Sequence, residues 1–206
     1  MKKQLRPVTE NHFNYIKTIA ENNYTLVKGP AGSSKSYTAV GMASQYLTDR
    51  KVNRIIVSRP MVQTGRHTIG FLKGDVKEKV LPFLLPLIEH FYYFLGKEET
   101  ESLIEHDLIT LLPLELARGM NFNNSFVILD ECQNADFGQI KMFLTRLGRN
   151  SKMVINGDTD QSDLDVCDFE EIITRLDGAP NVGIVKLTNK DIMRSKDIAE
   201  ILRRLS

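Results

Sequence analysis

Residues 24–48 read YTLVKGPAGSSKSYTAVGMASQYLT. The first five form a short apolar run, and Gly29, Pro30, Ala31, Gly32, Ser33 and Ser34 supply turn chemistry. Beyond Ser36, Val40, Ala43, Tyr46 and Leu47 return to one face at the helical period. Strand, tight turn and helix in this order open a parallel β-α-β unit. The turn also spells G-x-x-x-x-G-K-[ST] from Gly29 to Ser36, except that Ser34 stands where the last glycine belongs. In such a turn successive backbone N–H groups cradle phosphate oxygens at a helix N-terminus. Lys35 reaches the β- and γ-phosphates, and the Ser36 hydroxyl ligates Mg²⁺. A plain Gly/Ser helix cap is the competing interpretation. If position 34 requires a positive φ, serine carries strain there that glycine avoids.

The same rhythm recurs along the chain. Residues 54–58 (RIIVS), 108–112 (LITLL), 126–129 (FVIL), 152–155 (KMVI) and 182–187 (VGIVKL) are further short apolar runs. Between them Ile140, Phe143, Leu144 and Leu147 follow the helical period, with Gly148 placed as the residue after the helix end. Asp168 and Glu171 resemble a capping box ahead of Ile172, Ile173 and Leu176, and Ile198, Ile201, Leu202 and Leu205 make a last stripe. Doubly buried strands alternating with helices predict an α/β fold, a mainly parallel sheet with helices on both faces. Residues 60–107 break the rhythm. Gly65, Gly70 and Gly74 and an aromatic, proline-broken helix are expected to form an insertion within a single domain, 1–206.

The chain has 206 residues, and its 42% hydrophobic and 26% charged content are ordinary globular values that argue against disorder. Formal net charge is only +1, yet residues 28–79 hold 10 basic and 3 acidic side chains, a local excess suited to an anionic partner. Cys132 and Cys167 have no CxxC spacing, which argues against a disulfide framework or a zinc site. No apolar run follows Met1 to Pro7, as a signal peptide requires. The most apolar segment, 81–88, is interrupted by Pro82 and Pro86 and is far short of the roughly 20 residues of a membrane span. The expectation is a soluble, reduced, cytoplasmic protein without a membrane partner.

Phe126 to Leu129 deliver two carboxylates, Asp130 and Glu131, to the strand's C-terminal end, the edge where open α/β sheets bind ligands. One acid is placed to hold Mg²⁺, and its neighbour to polarise a water. Residues 156–161 (NGDTDQ) end another strand, and there Gln161, three residues after Asp158, is placed to sense a γ-phosphate.

Taken with LRPVTENH, SRPMVQTG, GFLKGD, PLELARGMNFNNSFVILDECQN, KMFLTRLGRNSKMVINGDTDQSDL and DIMR, these motifs resemble the PhoH-like family. That family comprises cytoplasmic P-loop ATPases related to superfamily 1 helicases, and the resemblance runs from about Leu5 to Leu205. It implies a three-layer P-loop NTPase with a RecA-like sheet, using ATP and Mg²⁺. Gly29 to Ser36 would bind the triphosphate, Ser36 and Asp130 the metal, and Glu131 would position water. Asp158 and Gln161 would couple nucleotide state to partner binding. Where the family's adenine-side motif ends Asn-Gln, this chain has Asn11-His12. His12 can stack or hydrogen-bond but cannot copy both contacts of a Gln amide.

The resemblance also implies a homo-oligomeric ring, a hexamer, in which a neighbour supplies an arginine. Arg194, after Leu187-Thr188-Asn189, is one candidate, and Arg146 and Arg149 are others. Arg54, Arg59, Arg66, Lys73, Lys77 and Lys79 would line a channel for single-stranded nucleic acid, RNA rather than DNA, with Phe71 stacking on a base. The alternative is a nucleotide-binding regulatory module of low turnover that recruits a protein. A Ras-type GTPase is disfavoured because Asn189-Lys190-Asp191 lacks the spacer of N-K-x-D.

Overall fold

Among the described residues six parallel strands form one sheet: β1 (Tyr24–Lys28), β2 (Arg54–Arg59), β3 (Ile109–Pro113), β4 (Ser125–Leu129), β5 (Lys152–Gly157) and β6 (Val182–Lys186). Their order across the sheet is β3-β2-β4-β5-β1-β6. Each falls on an apolar run anticipated above. In this computed structural model the described residues are 3–61, 76–158 and 168–193, with backbone alone described for 76–81.

The α-helices of the described residues are α1 (Glu10–Glu21), α2 (Lys35–Thr48), α3 (Val76–Leu95), α4 (Lys97–Glu105), α5 (Phe137–Leu144) and α6 (Asp168–Leu176). Their distribution follows from strand order. The steps β1 to β2 and β2 to β3 run one way along the sheet, while β3 to β4, β4 to β5 and β5 to β6 run the other. Because parallel crossovers keep one hand, opposite directions put their connections on opposite faces. The core divides accordingly. Phe126 and Ile128 of β4 join Val40, Leu87 and Phe91 of α2 and α3, whereas Val127 and Leu129 join Ile140, Phe143 and Ile172 of α5 and α6. This is the expected three-layer α/β architecture.

Three local expectations differ from the structure. The helix read as proline-broken is continuous from Val76 to Leu95, with Pro82 and Pro86 inside it. Burial of Leu84, Leu87, Ile88, Phe91 and Phe94 and the stacking of Tyr37 on His90, Tyr93 and Phe94 outweigh the two lost backbone bonds. With α4, this helix forms the β2-to-β3 crossover. Gly148 does not end α5, which stops at Leu144; instead Leu147 bridges Phe122, and Gly148 N–H donates to Phe122 O at 2.9 Å. A Cβ at Gly148 would stand 2.1 Å from Asn123 Oδ1, so any larger residue there displaces the Asn123 side chain, which accepts the Arg149 N–H. The Asp168 carboxylate accepts Phe137 N–H at 2.8 Å, tying α6 to the first turn of α5. The last stripe, Ile198 to Leu205, lies outside the described residues. Among the described residues no helix is long and apolar enough to cross a membrane.

Candidate functional site

The turn of residues 29–34 leaves the C-terminal end of β1 and enters α2. From this edge β1 leads one way along the sheet, while its neighbour β5 leads the other way over it to β6, the divergence that opens a ligand crevice. Gly29 is packed so tightly that an added Cβ would lie 2.7 Å from Leu187 Cβ. Ser34 has φ 63° and ψ 25°, the left-handed conformation that glycine adopts without a Cβ penalty. Its hydroxyl makes no cap bond to α2. Ser34→Gly is therefore expected to stabilise the fold by up to about 1 kcal/mol, part of the relief being offset by the greater freedom of glycine in the unfolded chain. A thermal melt checks this; a lowered midpoint would show that the serine side chain contributes an interaction of its own.

Lys35 and Ser36 point in useful directions. Lys35 Nζ donates to the carbonyls of Gly29 at 2.5 Å and Pro30 at 3.0 Å, arching over the mouth of the turn. Burial pushes its pKa down, and the nearby charges of Asp158, Glu131 and Asp130 push it back up. Ser36 Oγ donates to Asp130 Oδ1 at 2.7 Å. The same oxygen accepts from Asn156 Nδ2 at 3.2 Å, and Asn156 Oδ1 accepts from the fully buried Tyr15 hydroxyl at 2.8 Å. Burial raises the pKa of Asp130, as does Glu131, while Arg59 and the hydrogen bonds of Ser36 and Asn156 act against that rise.

Glu131 has φ 55° and ψ 40°, again left-handed, a cost of order 1–3 kcal/mol that clusters at functional sites. Its two oxygens are held from opposite sides. Arg59 Nη2 donates to Oε1 at 2.9 Å and Gln133 Nε2 to Oε2 at 2.6 Å. Gln133 is 2% exposed, and its Oε1 accepts the backbone N–H of Asp158 at 3.0 Å, so β4 and β5 share one bracket around the acid pair.

His12, expected against a base, is 3% exposed, with Nε2 3.1 Å from Ser33 O. Its ring braces the turn from beneath, because α1 packs over β1 and the Thr9 cap draws His12 inward. Neighbouring Asn11 and Thr9 reach Asp191 instead, at 2.8 and 2.6 Å, and Thr188 adds its backbone N–H at 2.7 Å and its hydroxyl at 3.1 Å. Burial opposes charge on Asp191, but these hydrogen bonds outweigh it and bring its pKa from 3.8 down to about 2. A depressed carboxylate pKa contributes stability that is present above the unfolded value and lost as pH falls through the folded one. Asp191→Asn should therefore cost about 2 kcal/mol at neutral pH, with the gap to the parent closing between about pH 4 and 2. Urea unfolding at several pH values checks it; a gap independent of pH would mean the charge is not the stabilising feature.

Of the other sequence candidates, Gln161 and Arg194 lie outside the described residues, as do Arg66, Phe71 and Lys73 and the side chains of Lys77 and Lys79. Met193, immediately before Arg194, donates its N–H to Gly32 O at 3.0 Å. Arg146 lies beyond the C-terminal end of α5, at the opposite edge of the sheet from the turn. Its guanidinium is directed to the carbonyls of Met142 and Met120 at 3.2 and 3.4 Å. Arg59 is withdrawn from the nucleic-acid channel, since it is committed to the acid pair. Reading the sequence missed Tyr15 as a site residue, gave Gln133 and Asn156 only as members of quoted motifs, and placed Arg59 in the nucleic-acid channel, not at the acid pair.

The family model described as PhoH-like protein matches residues 4–206. A PhoH-like protein of Bacillus subtilis (strain 168) is 38% identical over 206 residues, covering 97% of this chain and 63% of its own length. Protein PhoH of Escherichia coli (strain K12) is 35% identical over 191 residues, covering 90% of this chain and 54% of its own. The chain thus spans less than two thirds of these relatives. Among solved structures, the large terminase of a thermophilic bacteriophage superposes with a TM-score of 0.57, covering 98% of this chain and 51% of that one. At 10% identity this likeness shows the fold alone.

Proposed function

The chain belongs to the PhoH-like family, a P-loop NTPase fold, and from that premise we propose that it binds ATP with Mg²⁺ and hydrolyses it to ADP and phosphate. One observation carries this reading: the Ser36 hydroxyl and the Asp130 carboxylate converge at 2.7 Å beside the phosphate turn, with Glu131 adjacent. The donors are all oxygen, the ligand type of Mg²⁺, which characteristically takes one or two carboxylates and completes its shell with phosphate and water. Mg²⁺ held there by Ser36 and Asp130 supplies neutralisation of the charge on the β- and γ-phosphates.

The chain's own groups then have distinct roles. Backbone N–H groups of residues 29–36 hold the phosphates, and Lys35 exchanges its carbonyl partners for phosphate oxygens. Glu131, fixed by Arg59 and Gln133, accepts a hydrogen bond from the attacking water and takes its proton as the water oxygen bonds to the γ-phosphorus and the bond from that phosphorus to the β–γ bridging oxygen breaks, releasing ADP. Asp158 and Gln161 report the γ-phosphate to the partner. Arg194 or Arg146 would be the arginine that meets the γ-phosphate, brought from a neighbour in a ring, hexameric in the family resemblance.

The partner in this reading is single-stranded nucleic acid, RNA rather than DNA, held through Arg66, Lys73, Lys77 and Lys79. The basic excess of residues 28–79 supports it. A low-turnover regulatory module is the second reading, favoured by the strain at Ser34 and by the Arg59 contact to Asp130. Turnover measured over a dilution series, with and without single-stranded RNA, separates them. The motor reading predicts stimulation by RNA and loss of specific activity on dilution as shared sites separate. Turnover that stays negligible under all conditions favours the regulatory module, and full activity at every dilution removes the ring.

A further inference from the structure

The sheet register sets Ser58 beside Leu129, and Asp130 N–H donates to Ser58 O at 2.9 Å. Arg59, the last residue of β2, is thereby brought level with Asp130. Its guanidinium spans three groups: Nη2 donates to Glu131 Oε1 at 2.9 Å and to Asp130 Oδ2 at 3.3 Å, while Nη1 donates to Phe83 O of α3 at 2.8 Å. Only one fifth of the Arg59 side chain is exposed, and Nε is buried without a hydrogen-bond partner among the described residues. A planar, permanently charged fork is the group that can hold such an arrangement; an ammonium cannot. Asp130 is divided between two sides: Oδ1 faces the neutral donors of Ser36 and Asn156, while Oδ2 faces the Arg59 cation.

We infer that Arg59 is a positioning residue: it fixes Glu131 against α3 and opposes a divalent cation at Asp130. The inference rests on the nucleotide reading given above. A cation bound by Asp130 and Ser36 is repelled by a guanidinium a few ångströms away, so Arg59 holds metal affinity down while keeping Glu131 in place. The same fork makes the acid pair sensitive to any displacement of α3, the helix that follows the glycine-rich segment after β2.

The test is a Mg²⁺ titration of ATP binding, read by calorimetry, beside single-turnover hydrolysis. Arg59→Ala is expected to lower the Mg²⁺ concentration needed for half-maximal ATP binding by roughly tenfold, the scale of one charge-assisted hydrogen bond. It should slow the chemical step at least about tenfold as Glu131 loses its position. Arg59→Lys keeps the charge without the fork, so the Mg²⁺ midpoint should stay near that of the parent while hydrolysis remains slow. Should Arg59→Ala unfold, Arg59→Gln carries the same two readouts. An unchanged or raised midpoint in the neutral variant overturns the opposition to metal, and parental hydrolysis in Arg59→Lys overturns the positioning role. A parent protein whose ATP binding ignores Mg²⁺ overturns the site reading itself, which distinguishes that failure from this one.

Discussion

Glu131→Gln is expected to leave ATP affinity near the parental value and to slow hydrolysis by roughly 10²–10⁴, the loss typical when a positioned general base is removed. The glutamine keeps the shape of the side chain but only one acceptor oxygen, so one of the bonds from Arg59 Nη2 and Gln133 Nε2 persists in neutral form while the amide NH2 faces the other donor. What disappears is the negative charge that draws a proton from water. The left-handed backbone at residue 131 is unchanged by the substitution, so its strain cancels in the comparison. Single-turnover rates at saturating ATP measure the effect without interference from product release. A rate within a few fold of the parent would place water activation on another group.

Lys35→Ala should abolish measurable ATP binding. Lys35 is the cation at the mouth of the turn, and it lies in the field of Asp130, Glu131 and Asp158. Removing it subtracts charge-assisted bonds to phosphate worth roughly 1.5–3 kcal/mol each, and leaves three acids facing a triphosphate. Two such bonds amount to a loss of about 10²–10⁴ in affinity. Fluorescence titration with a labelled ATP checks this, with a thermal melt confirming that the fold persists. Parental affinity in a folded Lys35→Ala protein would remove the turn from the binding site.

Fold and site were legible in the sequence to different degrees, and the reason is range. Each strand is a contiguous apolar run, and the phosphate turn is eight adjacent residues, so local reading found both. Asp130 and Glu131 announced themselves because a buried strand that ends in two charges must end at an edge. Arg59 did not, because its partners are set by β2 lying beside β4, a fact of strand order that no local pattern encodes. Tyr15 and Asn156 escaped notice similarly: a tyrosine on a helix face and an asparagine in an Asn-Gly pair are ordinary until the fold joins them to Asp130. His12 was legible as a position of the adenine-side motif but not as a buried residue. Pro82 and Pro86 misled because a local rule lost to the packing of α3 on α2. Ser34 shows the opposite case: the motif raised a positive φ at this position as a condition, and the backbone meets it.

The central claim, that the turn of residues 29–36 and Asp130 form one Mg²⁺-ATP site, is tested most directly by calorimetric titration of ATP into the intact protein, with Mg²⁺ and again with a chelator. The account predicts saturable binding of one ATP per chain with Mg²⁺, and clear weakening when the metal is withdrawn. Absence of binding with Mg²⁺, or binding of equal strength without it, would contradict the account.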